Sequence, residues 1–129
     1  MNAHRKRLVT TALALISLVP APVTLYGAEQ PFTVLVRFYP AAGREAELES
    51  RLTKLRDFVL KNNPGVVYKL HRSEQEPVVF LLYEIFPSQA AFDAMATKIF
   101  PAFQKENGPI PEGIVRRPVE REIFRALTD

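Results

Sequence analysis

The chain contains no cysteine and no tryptophan. The first absence excludes a disulfide scaffold, Cys-ligated zinc or iron–sulfur centres, a thiol nucleophile and a lipid-modified N-terminal cysteine. Histidine is nearly missing as well, with only His4 and His71 present. A three-His or HExxH metal site cannot be assembled from so few. Acidic residues are absent from the N-terminal segment, since all 14 lie at or after Glu29. Against these shortages the chain is 47% hydrophobic and 24% charged, which excludes wholesale disorder, and its 129 residues allow one domain.

The N-terminal segment reads as an address rather than a fold. His4, Arg5, Lys6 and Arg7 precede a charge-free stretch over 8–26, and Gly27-Ala28 supplies a small-residue exit. A basic start, an apolar run and small residues before a cut describe a secretory signal peptide over 1–28, leaving a domain over 29–129. Two alternatives stay open: cleavage after Ala21, or retention as an anchor, because 8–26 is just long enough to span a bilayer. Lys6 separates Arg5 from Arg7, so no twin-arginine pair is present and export in the unfolded state is expected. The mature protein is then periplasmic or secreted, with no stable membrane span after cleavage.

Removing this segment changes the electrostatics. The net charge of +3 comes from 17 basic residues against 14 acidic ones. Arg5, Lys6 and Arg7 account for the whole excess, so the remaining chain is neutral. A neutral domain gives no ground for a nucleic-acid or anionic-membrane partner. Nor do the first two strands carry an exposed aromatic pair set among Lys and Arg, as an RNA-binding sheet would.

Periodicity over the remainder predicts β-α-β-β-α-β. Residues 32–39 alternate, with Phe32, Val34, Val36 and Phe38 on one face and Thr33, Leu35, Arg37 and Tyr39 on the other. Leu48, Leu52, Leu55 and Val59 form the stripe of a helix over 44–61, which Asn63-Pro64-Gly65 ends. Residues 66–71 and 78–86 read as a hairpin, its strands joined by a short polar turn. Ser88 is placed to cap a second helix with the stripe Phe92, Met95, Ala96, Ile99 and Phe103. Pro101 falls inside that run, so the helix either kinks or stops and restarts there. The charged segment 119–126 suits an edge strand.

The third strand is apolar on both faces: Val78, Phe80 and Leu82 one way, Val79, Leu81, Tyr83 and Ile85 the other. An antiparallel sheet with one wet face should alternate. Helices on one face leave the other uncovered, and a second copy packing sheet to sheet would cover it. A homodimer is therefore expected.

The element order, Gly43 before the first helix, Asn63-Pro64-Gly65 before the second strand and Tyr83-Glu84-Ile85-Phe86-Pro87-Ser88 closing the third resemble the antibiotic biosynthesis monooxygenase family over about residues 32–103. The resemblance implies an α+β, ferredoxin-like antiparallel sheet with its helices on one face, pairing into a dimeric α/β barrel. It implies a cofactor-independent monooxygenase acting on a small aromatic or quinol substrate with O₂. Non-catalytic ligand binding, or a structural dimer on the same scaffold, is the alternative. Phe86 stands where the family commonly has Trp, the second helix has Phe92 and Met95 but no His, and strand one has Arg37 but no Asn. Those departures argue against haem degradation.

Oxygenation without a metal or flavin needs an apolar setting, an orienting donor and a base that titrates near neutrality. His71 has the right unperturbed pKa; its alternative is an exposed turn histidine. Tyr83 and Tyr68 can donate to a substrate oxygen, or can be core or interface tyrosines. Glu84 is a carboxylate on an apolar strand, either a base with a raised pKa or an ion-pair partner of Arg37 on the neighbouring strand or across a dimer contact. His71, Tyr83 and Glu84 are the catalytic candidates. Arg37, Tyr68, Phe86, Met95, Ile99 and Phe100 are the substrate-binding candidates, the apolar ones also serving as ordinary core.

Overall fold

The computed structural model describes residues 30–127. The signal peptide expected over 1–28 lies outside the described residues. Four strands, β1 (Phe32–Phe38), β2 (Val67–Arg72), β3 (Phe80–Phe86) and β4 (Glu120–Arg125), form one sheet in the order β2-β3-β1-β4. All three pairings are antiparallel, as the hairpin reading and the ferredoxin-like order require. β4 is an edge strand, in keeping with its charges.

Helix α1 spans Glu45–Asn62 and buries Leu48, Leu52 and Val59, three of the four stripe residues, with Leu55 packed at the core's edge. Glu45 and Glu47 sit in its first turn and Lys61 in its last, as the helix dipole favours. The chain leaves it through Gly65, whose φ of +91° is a conformation that a side chain disfavours.

The second helical region starts as expected. The Ser88 hydroxyl accepts a bond from the Ala91 N–H at 3.2 Å, capping α2 (Gln89–Ala94). Ser88→Ala should lower stability by about 1 kcal/mol, read as a fall in melting temperature. The α-helix then stops, and a second one starts with Pro101 in its first turn, as one of the two expected readings has it. A π-helical turn over Met95–Ile99 leads directly into α3 (Phe100–Asn107). A wide turn drops one residue from the hydrogen-bonding register, and it lies just before the residue whose nitrogen has no hydrogen to donate. Thr97 contributes by donating its hydroxyl to the Asp93 carbonyl at 3.0 Å. Met95, Ile99 and Phe103 are buried, while Ala96, predicted on the same stripe, is exposed because the extra residue rotates it outward.

Both helical regions cover one face of the sheet. That face carries Phe32, Val34 and Val36 of β1, Phe80, Leu82, Glu84 and Phe86 of β3, and Tyr68 of β2, all buried. The helix-free face is apolar at its centre, where Leu35, Leu81, Tyr83 and Ile85 are half-buried. Phe124 of β4, which pairs with Thr33 on this face, is 46% exposed.

Candidate functional site

A single row of side chains crosses the helix-covered face: Tyr68, Glu84, Val34 and Ile123, each the register partner of the next. Strand alternation puts Glu84 in this row, between Leu82 and Phe86 along β3. It is 5% exposed, and among the described residues it is the only charged side chain in the buried core. Loss of hydration pushes its carboxyl up to about 7, opposed by Tyr68 and, more weakly, by the positive charge of Arg121.

Tyr68 is 2% exposed, and its hydroxyl makes no hydrogen bond of normal geometry among the described residues. It lies near enough to Glu84 for the two to interact, and burial together with that carboxyl raises its own pKa well above the usual phenol value. A buried hydroxyl beside a buried carboxyl sets a donor and an acceptor side by side, and the pair can bind an incoming hydroxyl.

Aromatic rings flank the row. Phe92 of α2 packs edge-on against Phe86 at 5.1 Å and against Phe32 at 5.5 Å between ring centroids. Phe86, Met95 and Ile99 are core side chains, and Phe100 packs against them from the start of α3. Asn63, at the end of α1, reaches over to donate to the Ala91 carbonyl at 3.1 Å and touches the Met95 sulfur at 3.6 Å. The wide turn over the Glu84 row is thereby tied to α1.

The residues expected to act together lie on two faces. Glu84, Tyr68, Phe86, Met95, Ile99 and Phe100 belong to the helix side. His71, Tyr83 and Arg37 belong to the helix-free side: His71 pairs with Leu81, Tyr83 with Leu35, and Arg37 with Leu81 across the strands. Within one protomer the sheet separates the two sets. His71 is exposed and Tyr83 half-buried. Within one protomer the possible Glu84–Arg37 ion pair is not formed, because the two side chains point to opposite faces and Arg37 bonds Glu122 of β4. Sequence reasoning gave Arg121 no part in the site. The signal was available, since alternation from Ile123 puts Arg121 on the helix side.

A hollow of about 230 Å³ lies apart from this row, between α1, α3 and the loop that follows, with Arg51, Lys54, Phe103 and Ile114 among its walls. It contains none of the expected site residues. Among the described residues no group of three His, Asp or Glu is placed to hold a metal ion. No helix among them is long and apolar enough to cross a membrane.

The fold agrees with comparisons to known proteins. The antibiotic biosynthesis monooxygenase family profile matches residues 31–106, and the chain belongs to that family. A Caulobacter crescentus protein bearing the same family name is 26% identical, with a TM-score of 0.65 over 82% of this chain and 97% of that one. SnoaB of Streptomyces nogalater, a cofactor-independent oxygenase, is 20% identical with a TM-score of 0.57, covering 78% of this chain and 96% of its own. MhuD, solved with manganese protoporphyrin IX in its active site, is 21% identical with a TM-score of 0.60, covering 76% and 96%. The last two show the fold alone. No curated protein sequence matches.

Proposed function

We propose that the protein is an exported, cofactor-independent monooxygenase acting on a small aromatic or quinol substrate at the Glu84–Tyr68 row. The observation that carries this reading is a carboxyl buried in an apolar layer, with a pKa near neutrality, beside the buried hydroxyl of Tyr68, which interacts with it. Near neutral pH such a carboxylate takes a proton from a phenolic hydroxyl, and Tyr68 donates to the oxygen that becomes negative. The electron-rich anion then reduces O₂. Overall the substrate loses two hydrogens and gains one oxygen atom, and the second oxygen leaves as water, so no external reductant is consumed. The surrounding phenylalanines exclude water from the reacting anion.

Membership of the family supports the chemistry, and the basic, then apolar, N-terminal sequence supports export. The helix-free face is read as the surface of a homodimer, because it is apolar at its centre and has no helix over it. Sedimentation at micromolar concentration tests this, and a stable monomer would count against it.

The activity test is O₂ consumption with a panel of quinols and phenols. Tyr68→Phe should lower the rate about tenfold or more and move the pH dependence of the remaining activity upward, because the lost hydroxyl favours the Glu84 carboxylate. Absence of substrate-dependent uptake across the panel would favour the second reading, a ligand-binding dimer. The separation of the 230 Å³ hollow from Glu84 is the observation on that side. A ligand that raises the melting temperature without turnover would establish it.

A further inference from the structure

Arg121 stands beside the Glu84 row, where its charge acts on Glu84 and Tyr68 without direct contact. It lies on the helix side of β4, opposite Val36, one row along from Glu84. Its guanidinium sits 5.9 Å from the centroid of Phe92, the half-buried ring that forms the outer wall of the Phe32–Phe86–Phe92 cluster. Glu120 and Glu122, its neighbours on the strand, point to the other face. There they take up Arg117 and Arg37. Asp93, on the helix above, accepts from Gln89. Among the described residues Arg121 forms no ion pair and no side-chain hydrogen bond. An exposed guanidinium at the rim of an aromatic cluster, near a buried carboxyl but with no acid in contact with it among the described residues, is suited to a carboxylate brought by a ligand.

We propose that Arg121 is the specificity-determining residue of the site, and that the substrate is an aromatic acid. Its carboxylate pairs with the guanidinium fork, its ring lies along Phe92, and a ring hydroxyl reaches toward Glu84 and Tyr68. This deepens the reading of the Glu84 row as the reacting centre and rests on it. The geometry also accounts for a charge that packing does not require, since Ile123 and the phenylalanines already cover this end of the sheet.

The test compares two probes, 1-hydroxy-2-naphthoate and its methyl ester, by isothermal titration of the wild type, Arg121→Gln and Arg121→Lys. The wild type should bind the acid roughly tenfold or more tighter than the ester, as expected of a charge-assisted pair. Arg121→Gln should erase that ratio without changing ester affinity, and Arg121→Lys should keep part of it. A ratio unchanged in Arg121→Gln, no acid preference in the wild type, or no binding of either probe would overturn the proposal. Oxygen uptake is followed in parallel with Glu84→Gln. If uptake is absent, or insensitive to Glu84, while the acid preference depends on Arg121, the oxygenase reading fails and the anion site stands. If uptake depends on Glu84 and the preference does not depend on Arg121, the anion site alone fails.

Discussion

Glu84→Gln is expected to make the protein more stable above neutral pH and to lower substrate-dependent O₂ uptake about 100-fold or more. Both effects come from the same burial. In the fold the carboxyl titrates at about 7, against an ordinary value of 4.5. Between those pH values the folded chain holds a proton that the unfolded chain has released. Stability therefore falls as pH climbs through this window, and the loss is complete above about 7. At full size the loss is about 3 kcal/mol, one of the larger single costs a domain of this length can carry. Glutamine keeps the shape and removes the titration. Its amide still has to be accommodated in an apolar layer, so the net gain at pH 8 is about 1–2 kcal/mol, vanishing near pH 4. The rate falls because an amide cannot accept the substrate proton, and general-base contributions run to about 100-fold or more. Denaturant titrations across pH 4–8 decide the first part: equal slopes of stability against pH in both proteins would refute it. Oxygen uptake decides the second. A stabilised variant without activity is the signature of a group kept for chemistry against its folding cost.

Sequence patterning reached the strands and the first helix within two residues because each is an amphipathic element with one dominant period. Alternation in β1 and β3, and the leucine stripe of α1, survive in the buried sets Phe32, Val34, Val36 and Leu48, Leu52, Val59. The second helix was legible in its start, through Ser88, but not in its interior. A π-helical turn leaves no mark of its own, since the buried residues Met95, Ile99 and Phe103 still recur every four positions as they would in an α-helix. Ala96 was placed inward for that reason.

The site was legible in part. Glu84 stood out as a carboxylate on an otherwise apolar strand, and its burial follows from alternation. What a linear sequence hides is which of two faces each strand turns toward the helices. His71, Tyr83 and Arg37 are close to Glu84 in register, yet a sheet lies between them and it. Arg121 was hidden differently: three other charges surround it on a short strand, and only the pairing of Glu120 and Glu122 on the far face isolates it.

Two adjacent residues of β3 are expected to fail in opposite ways. Phe86 is 1% exposed on the helix side, where it meets Phe32 at 5.8 Å and Phe92 at 5.1 Å. Phe86→Ala removes a large apolar side chain and leaves a cavity that neighbouring rings only partly fill. The cost should be about 3–5 kcal/mol, seen at every protein concentration and in any oligomeric state. Ile85 is half-buried on the helix-free side, in a row with Val67, Thr33 and the exposed Phe124. Ile85→Lys leaves the core of one protomer intact, because a long aliphatic stem lies along the sheet with its charge in water. At a sheet-to-sheet interface that charge would be buried against an apolar partner, and a second copy would place another opposite it. The expected result is a folded monomer whose circular dichroism matches the wild type and whose sedimentation coefficient falls to that of a single chain. If Ile85→Lys instead unfolds the protein at all concentrations, the helix-free face serves the fold of one chain. If it leaves a dimer unchanged, the two copies meet elsewhere. Measured together, the pair separates what β3 contributes to the core of a protomer from what it offers to a second one.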